Sequence, residues 1–345
     1  MAEMLIKEGK SLDLASGQYS CTPLLAAVVE VNYSMAELLM KNGASIDLAA
    51  GQYSYTPLLA AVEKGNYNMA VLLMKNGASI DLASGQCSYT PLLAAVEQGN
   101  YNIAKLLIKN GASLNIPSIQ YGYTPLLAAI QEGNYNMAEL LIKYGASLDL
   151  ASGQSSYTPL LAAVDEGNCR IAELLTKNGA SIDLALGQDS QTPLLAAVVK
   201  GNCSMADMLI KNDASLDLIS GEYGRTPLIE AAHRGDLDMC RLLLQNGANP
   251  DTTDCEGRHS IYIAAHGGYS EVIRLIIYYG GDPQPHLYDS VLNGNYSIAE
   301  LLMKNGASAD LALDEHCIPL LIKAVIHGHL DICRLLLQNG ANPEA

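Results

Sequence analysis

The sequence predicts an all-α repeat solenoid of stacked helix-turn-helix units with β-hairpin-like fingers. A Thr-Pro pair recurs every 34 residues, since 56 − 22 and each later difference give the same step. A constant period of roughly 20–50 residues is typical of a repeat architecture. Apolar residues at helical spacing and a glycine after each helix accompany the pair. The seven occurrences are Thr22-Pro23, Thr56-Pro57, Thr90-Pro91, Thr124-Pro125, Thr158-Pro159, Thr192-Pro193 and Thr226-Pro227.

The first helix of a unit is predicted from its two ends. Thr56 can cap it, because its hydroxyl accepts an N–H that the first turn leaves unpaired. Pro57 suits the first helical position, where it has no N–H to lose and its φ is already helical. Gly65 tolerates the left-handed conformation that ends many helices. These signals predict a short helix through the apolar run after Pro57.

A second helix and an extended finger complete the unit. The helix is predicted to start near Asn66, to hold Lys75 in its last turn and to stop at Gly77. Lysine is favourable there because the helix dipole is negative at its carboxyl end. The finger follows, with Gly85 available for a turn. Two short helices cannot bury their apolar faces alone, so the units are expected to stack around one continuous core.

This order of elements resembles the ankyrin repeat, whose pattern is G-x-T-P-L-H-x-A-A, then G-H or G-N, then a second helix ending in L-L and G-A. The resemblance covers essentially the whole chain and implies the ankyrin fold. The closest matches are Gly224-Arg225-Thr226-Pro227-Leu228, Ala231-Ala232, Leu243-Leu244 and Gly247-Ala248-Asn249-Pro250.

Two departures from the family pattern stand out. The finger carries one residue more than the usual unit, and an Ala-Ser-Gly-Gln turn, as at Ala83 to Gln86, replaces the family's aspartate. Leucine replaces the family's histidine after T-P-L, which predicts apolar packing in place of a polar link between repeats. These leucines are Leu59, Leu93, Leu127, Leu161 and Leu195.

The whole chain, residues 1–345, is predicted to be one solenoid. Residues 1–21 read as a half repeat, 22–258 as regular repeats of 34 or 33 residues, and 259–345 as divergent repeats. A finger near residues 280–287 is cut short, with the next repeat head expected near Pro285. The last unit is expected to begin at Ile318-Pro319-Leu320. Because the chain starts inside a repeat, we expect it to be a segment of a longer array.

Composition narrows the function classes. The formal net charge is −16 and the isoelectric point about 4.7, which argues against nucleic acid as a partner and permits a basic one. The apolar runs are too short to span a bilayer, so no membrane insertion is expected. The eight cysteines lie far apart and form no disulfide framework, which predicts a reducing, cytoplasmic compartment.

Catalytic and metal-binding motifs are missing from the sequence. No glycine-rich phosphate loop follows a strand, and no nucleophile, base and orienting group share a motif. Within one unit lie His316-Cys317, His327, His329 and Cys333, but their spacing matches no zinc pattern. We therefore predict no enzyme, no cofactor and no metal.

Positions that vary between repeats are the candidates for binding. The residue before each threonine is tyrosine in four successive repeats, and the resemblance implies that it faces the concave surface. Tyrosine offers a large amphipathic contact area at small entropic cost, which favours it at interfaces. The alternative is that these tyrosines pack against one another and cover the finger. The predicted contacts on the fingers are Tyr53, Tyr55, Tyr89, Tyr121, Tyr123, Tyr157, Tyr223 and Arg225.

Carboxylates at the end of the first helix would border the same groove. Beside tyrosine they would suit an extended basic or amphipathic peptide; the alternative is an ordinary solvated face. The predicted contacts there are Glu63, Glu97, Glu132, Asp165 and Glu166. A second tyrosine row follows the Gly-Asn turn, where the family usually has leucine, and is predicted to pack in the core. It consists of Tyr33, Tyr67, Tyr101, Tyr135 and Tyr296.

The leading functional hypothesis is a protein–protein interaction module that binds a protein or peptide on its concave face and fingers. The alternative is a structural spacer, spring or scaffold segment of a larger repeat protein, or an idealised or designed array, with no dedicated groove partner. Exposed solenoid ends also predict end-to-end self-association.

Overall fold

A computed structural model describes residues 11–15, 20–85, 88–120, 122–153, 156–186, 190–310 and 318–342. These residues form 20 helices, and their strand-like contacts are isolated bridges. This confirms the predicted all-α repeat solenoid. The chain divides into two compact units, with the boundary after Ser181. That all 345 residues form a single solenoid stays a prediction.

The described residues of the first unit form five two-helix repeats. Its helices are α1 (Pro23–Val29), α2 (Tyr33–Lys41), α3 (Pro57–Glu63), α4 (Tyr67–Lys75), α5 (Pro91–Glu97), α6 (Tyr101–Lys109), α7 (Pro125–Gln131), α8 (Tyr135–Lys143), α9 (Pro159–Asp165) and α10 (Cys169–Lys177). Each odd-numbered helix packs against the second helix of its own repeat, and α1, α3, α5 and α7 also pack against the first helix of the next repeat. The first helices therefore form one layer and the second helices another.

In the second unit the described residues also form five helix pairs. They are α11 (Pro193–Val199), α12 (Cys203–Lys211), α13 (Pro227–Arg234), α14 (Leu237–Gln245), α15 (Ser260–Gly267), α16 (Ser270–Tyr278), α17 (Gln284–Leu292), α18 (Tyr296–Lys304), α19 (Leu320–Ile326) and α20 (Leu330–Gln338). No helix in the described ranges is long and apolar enough to cross a membrane.

The predicted caps are confirmed. The Thr56 hydroxyl accepts the Leu59 N–H at 3.2 Å, and each of the seven Thr-Pro threonines makes the equivalent bond. Asn66 caps α4 by accepting the Met69 N–H at 3.1 Å. Gly65 and Gly77 take positive φ values of 65° and 94°, as a helix-ending glycine does.

The core lies between the two helix layers. Leu58, Leu59 and Val62 of α3 are almost fully buried, and so are Met69 and Leu73 of α4. The predicted apolar packing at the family's histidine position is confirmed, since Leu59 and its four equivalents are at most 3% exposed. Stacked repeats thus bury faces that one repeat would leave in water.

The fingers are short hairpin-like turns. Ala50 and Tyr55 exchange both backbone hydrogen bonds, at 3.1 and 3.0 Å, and the Ser54 N–H closes the turn on the Gly51 carbonyl. The Gly85 N–H then donates to the Ser54 carbonyl at 2.9 Å and so joins this finger to the one before it; Gly51, Gly153 and Gly221 make the equivalent bond. This confirms the β-hairpin-like geometry expected from the sequence.

The heads of the last two repeats lack the Thr-Pro pair of the regular repeats. Pro283 takes the N-cap position and Pro285 lies in the first turn of α17, so the helix begins one residue before Pro285. Prolines are tolerated there because the first-turn N–H groups have no helical partner. In the last repeat Pro319 is the N-cap and α19 begins at Leu320, so its proline is one position earlier than in the Thr-Pro heads.

The second tyrosine row does not pack in the core as predicted. Tyr33, Tyr67, Tyr101 and Tyr296 are 39–44% exposed, because the first residue of each second helix lies at the edge of the layer. The Tyr33 hydroxyl donates to Asn66 Oδ1 at 2.9 Å. These side chains cover a polar turn rather than fill an apolar space.

Candidate functional site

A cleft of about 600 Å³ lies between the first finger and the first helices of the first unit. Leu25 and Val29 of α1 form one side, Tyr53 and Tyr55 of the finger form the other, and Cys21 lies at its edge. Glu30, Glu63 and Lys64 also line this cleft. It therefore has apolar walls with mostly acidic groups beside them.

The same cleft recurs three repeats later. Tyr123, Leu127 and Gln131 occupy the places of Cys21, Leu25 and Val29, each 102 residues (three times 34) further along. Tyr157 and Asp165 likewise replace Tyr55 and Glu63. This second cleft measures about 220 Å³. The first is larger because Cys21 stands where the bulkier Tyr123 stands in the second.

The tyrosines that precede the repeat threonines are half-buried. They pack against the next finger and also line the groove. A Cβ added at Gly85 would lie 2.7 Å from the Tyr55 ring, and one at Gly153 would lie 2.6 Å from the Tyr123 ring. Each of these rings thus packs on the bare backbone of the next finger. Tyr89 hydrogen-bonds the Glu97 carboxylate. Both predicted alternatives, a packed ladder and a groove surface, are compatible with this placement.

Tyr53 is the most accessible of the finger tyrosines in the first unit. It is 49% exposed and stacks on Tyr55, with ring centroids 5.6 Å apart. Tyr121, the other predicted contact of this type in the first unit, lies outside the described residues.

The predicted carboxylates come together along the ends of the first helices. Burial raises the pKa of Glu63, and the hydrogen bond that Gln98 donates to it acts in the opposite direction. Burial also raises the pKa of Glu97; the bond from Tyr89 lowers it, and the nearby Glu132 and Glu63 raise it. Neighbouring repeats therefore place like charges close enough to repel one another. Asp165 and Glu166 line the second cleft.

The predicted contacts of the second unit have a different environment. The Tyr223 ring is 55% exposed, and the Arg225 guanidinium lies over it at 4.9 Å. Arg225 also pairs with the Glu230 carboxylate at 2.8 Å, and both side chains are nearly buried. The Arg225 guanidinium thus lies between the Tyr223 ring and the Glu230 carboxylate.

Sequence reasoning missed a ladder of Asp–Ser hydrogen bonds that joins successive repeats. The Asp81 carboxylate accepts the Ser113 N–H at 2.9 Å and the Ser113 hydroxyl at 2.6 Å. Asn115 takes the aspartate's place one repeat later and accepts the Ser147 N–H at 2.9 Å. The signal was the Ser-x-Asp triplet that recurs after the second helices. The other Asp–Ser pairs are Asp13–Ser45, Asp47–Ser79, Asp149–Ser181 and Asp183–Ser215.

Metal-binding geometry is not found in the part of the chain that the structure describes, where no three potential ligand side chains come together. His286 is buried beside His259, with ring centroids 4.9 Å apart, and burial lowers its pKa to about 4. This pair belongs to the packing of α17.

The chain is a repeat protein. Its two-helix repeats stack on one another, and clefts lie beside the fingers that join them. The model for three ankyrin repeats matches residues 1–84, 83–152, 214–289 and 261–345, and the model for one ankyrin repeat matches residues 156–185. The chain belongs to the ankyrin repeat family. Ankyrin repeat domains are typically protein-interaction modules.

Solved structures include similar ankyrin domains. The human ASB11 ankyrin repeat domain is 27% identical with a TM-score of 0.52, and the match covers 66% of this chain and 100% of that one. The ankyrin repeat domain of Bcl-3, described as a unique member of the IkappaB protein family, is 26% identical with a TM-score of 0.54, over 57% of this chain and 89% of that one. The search of curated proteins found no match.

Proposed function

We propose that this chain is a non-enzymatic binding module that holds an extended segment of another protein against its fingers and first helices. The observation that carries the proposal is the cleft that recurs at equivalent residues three repeats apart. It combines apolar walls, tyrosines and carboxylates, the mixture that suits an amphipathic or basic peptide. The cysteine spacing supports a reducing, cytoplasmic location for this interaction.

Two exposed tyrosines allow a matched test of the proposal. Tyr53 lines the larger cleft and Tyr67 begins the second helix α4, and they are 49% and 44% exposed. Peptides are selected from a random phage-displayed library on the full chain, and their affinities are then measured for Tyr53→Ala and for Tyr67→Ala. We expect the Tyr53 variant to weaken binding about tenfold or more, because an aromatic anchor is lost.

The Tyr67 variant is the control, because Tyr67 does not line the cleft. Tyr67→Ala should leave the affinity within about twofold, and both variants should unfold at nearly the wild-type temperature. If the selected peptides bind the Tyr53 variant as tightly as the wild-type chain, or lose affinity only with the Tyr67 variant, the cleft is not the binding site.

The Asp–Ser ladder favours the second candidate function, a scaffold or spacer. It joins successive repeats at a fixed register, as a structural element requires, and it needs no groove partner. If no selected peptide depends on Tyr53 for binding, the scaffold or spacer function would be better supported than peptide binding in the cleft.

End-to-end self-association is also proposed, on the apolar surface of α19. Val325 and Ile326 are 63% and 65% exposed, whereas Val62, at the same position of α3 as Val325, is fully buried. A second copy could cover these side chains as a neighbouring repeat covers Val62. Light scattering of the full chain across concentration should show a growing mass, and Val325→Ser should reduce it; a constant monomer mass would refute the association.

A further inference from the structure

The groove of the first unit presents its charges once per repeat. Glu30, Glu63 and Glu97 come from three successive repeats, Glu132 follows from the fourth, and Asp165 with Glu166 from the fifth. The charges of Glu132 and Glu63 both raise the pKa of the Glu97 carboxyl, as carboxylates of adjacent repeats do. A ligand that follows the groove therefore meets a negative group at each repeat.

The spacing of the repeats sets the spacing of groups on the ligand. Packed helices lie about 8–10 Å apart. A polyproline II segment rises about 3.1 Å per residue and completes a turn in three residues, or about 9.3 Å. Every third side chain of such a segment points in the same direction and advances by about one repeat. Its period thus matches that of the carboxylates.

Other peptide conformations do not fit the same row. A β-strand advances about 10 Å in three residues, but its side chains alternate, so successive third residues point to opposite faces. An α-helix needs about six residues for the same distance, and six residues do not return to the same face of a helix with 3.6 residues per turn. Polyproline II returns to the same face at about 9.3 Å, within the helix spacing, whereas an α-helix does so only after seven residues, or about 10.5 Å.

The larger cleft adds an anchor point at one end of this row. Leu25 and Val29 provide aliphatic surface, and Tyr53 and Tyr55 provide aromatic surface beside it. At the equivalent cleft Tyr123 takes up space that Cys21 leaves open, which accounts for about 220 Å³ there against about 600 Å³ here. The first cleft can therefore accept a bulky apolar side chain.

Charge complementarity identifies the rest of the ligand. Lys64 is the basic residue of the cleft lining, against Glu30 and Glu63, and the repeats beyond it add Glu97 and Glu132 without a lysine at the helix end. Carboxylates that repel one another favour a ligand that brings positive charge between them. Lysine or arginine provides that charge at the required side-chain length.

We propose that the groove binds a polyproline II segment that has one bulky apolar residue followed by lysine or arginine at every third position. The apolar side chain occupies the cleft at Cys21, and the basic side chains pair in turn with Glu63, Glu97 and Glu132. This assignment rests on the proposed function and narrows it to one class of partner.

The probe is a synthetic peptide, Leu-Pro-Pro-Arg-Pro-Pro-Arg-Pro-Pro-Arg-Pro-Pro, made with the leucine at either end of the sequence. Its control has the same composition in an order that destroys the three-residue period. Affinities for the full chain are measured by titration calorimetry at low and at physiological salt. We expect one orientation of the periodic peptide to bind about tenfold or more tightly than the control, which is about 1.4 kcal/mol. Added salt should weaken this binding.

Protein variants locate the bound peptide. Glu63→Gln and Glu97→Gln should each weaken it about two- to fivefold. Glu139→Gln, an exposed carboxylate on the second helix α8, serves as the matched control and should have no effect. Cys21→Tyr should also weaken binding, because it places in the first cleft the side chain that fills the equivalent position in the next repeats. The fold should tolerate this change, since Tyr55 and Tyr123 stand at the same position.

The outcomes separate this inference from the proposed function. Equal affinity for the periodic and the control peptide, or loss of affinity with Glu139→Gln alone, would overturn the inference. It would also be overturned if neither peptide bound while library-selected peptides still depended on Tyr53, and the proposed function would then stand. The proposed function itself fails only if the library-selected peptides are indifferent to Tyr53→Ala.

Discussion

At the scale of single residues, the fingers hold serines in a conformation that glycine adopts more easily. Ser54 has a φ of 54°, and the serines at the equivalent place in four other fingers have values of 47–51°. Gly122 and Gly224 occupy this place in two further fingers. A left-handed residue with a Cβ is strained, and the strain persists because the surrounding bonds fix the finger.

We therefore predict that Ser54→Gly stabilises the protein. The relief of strain exceeds the extra chain entropy that glycine loses, so the free energy of unfolding should rise by about 1 kcal/mol. Urea unfolding measures this change. The reciprocal substitution, Gly122→Ser, should lower the free energy of unfolding by a similar amount; a Ser54→Gly protein less stable than wild type would contradict the explanation.

Residue patterns in the sequence located the helix ends well because their causes are local. Thr56, Pro57 and Asn66 act on N–H groups within three residues of themselves, so their effect can be read without a fold. The partner of Asp81 is 32 residues away, and its role emerges only when repeats are stacked. The large cleft was also not foreseen, since it depends on a cysteine where the neighbouring repeats have tyrosine.

At the scale of helices and fingers, the Asp–Ser ladder should contribute to the joining of repeats. Asp81→Ala removes the acceptor of two Ser113 bonds and leaves the Ser113 N–H without its partner. We expect a loss of about 1–2 kcal/mol in the free energy of unfolding, measured by urea titration. Asp81→Asn should cost less, because Asn115 performs the same role in the next repeat. Equal losses for both variants would show that charge, not the backbone bond, carries the effect.

The helix α17 should make stability depend on pH. Burial and, to a smaller extent, His259 lower the His286 pKa from 6.5 to about 4, while Asp282 and Asp251 act in the opposite direction. Between these two values the unfolded chain binds a proton that the folded chain does not. The free energy of unfolding therefore falls on acidification through this range, by up to about 3 kcal/mol.

A variant isolates this histidine from the other titrating groups. Between pH 7 and pH 5, His286→Leu should lose less stability than the wild-type chain in parallel chemical denaturation. His233→Gln, an exposed histidine of α13, should behave as wild type. An unchanged pH dependence in the His286 variant would show that this side chain does not take part.

Element types were easier to predict than element surroundings. The period predicted both helices of every regular repeat, but the tyrosine row at Tyr33 and Tyr67 was assigned to the core by analogy with leucine. Tyrosine is amphipathic, so it can lie at the edge of a layer with its hydroxyl on a polar turn. The heads near Pro285 and at Pro319 could be placed only approximately from the sequence, because proline is tolerated at several positions in and before the first turn.

At the scale of the whole molecule, repetition converts small local features into an extended surface. One tyrosine and one carboxylate per repeat would be weak determinants alone, yet their regular recurrence in the first unit makes a groove with its own period. The clefts at Tyr55 and Tyr157 show that equivalent residues build equivalent sites. We propose that this groove is where an extended peptide binds.

Hydrogen exchange of the full chain, with and without a library-selected peptide, tests that claim most directly. We predict slower exchange in the finger at residues 50–55 and at the carboxyl end of α3, with little change in the second helix α4. Slowed exchange confined to the second helices, or to α19 and α20, would place the partner elsewhere and contradict the account.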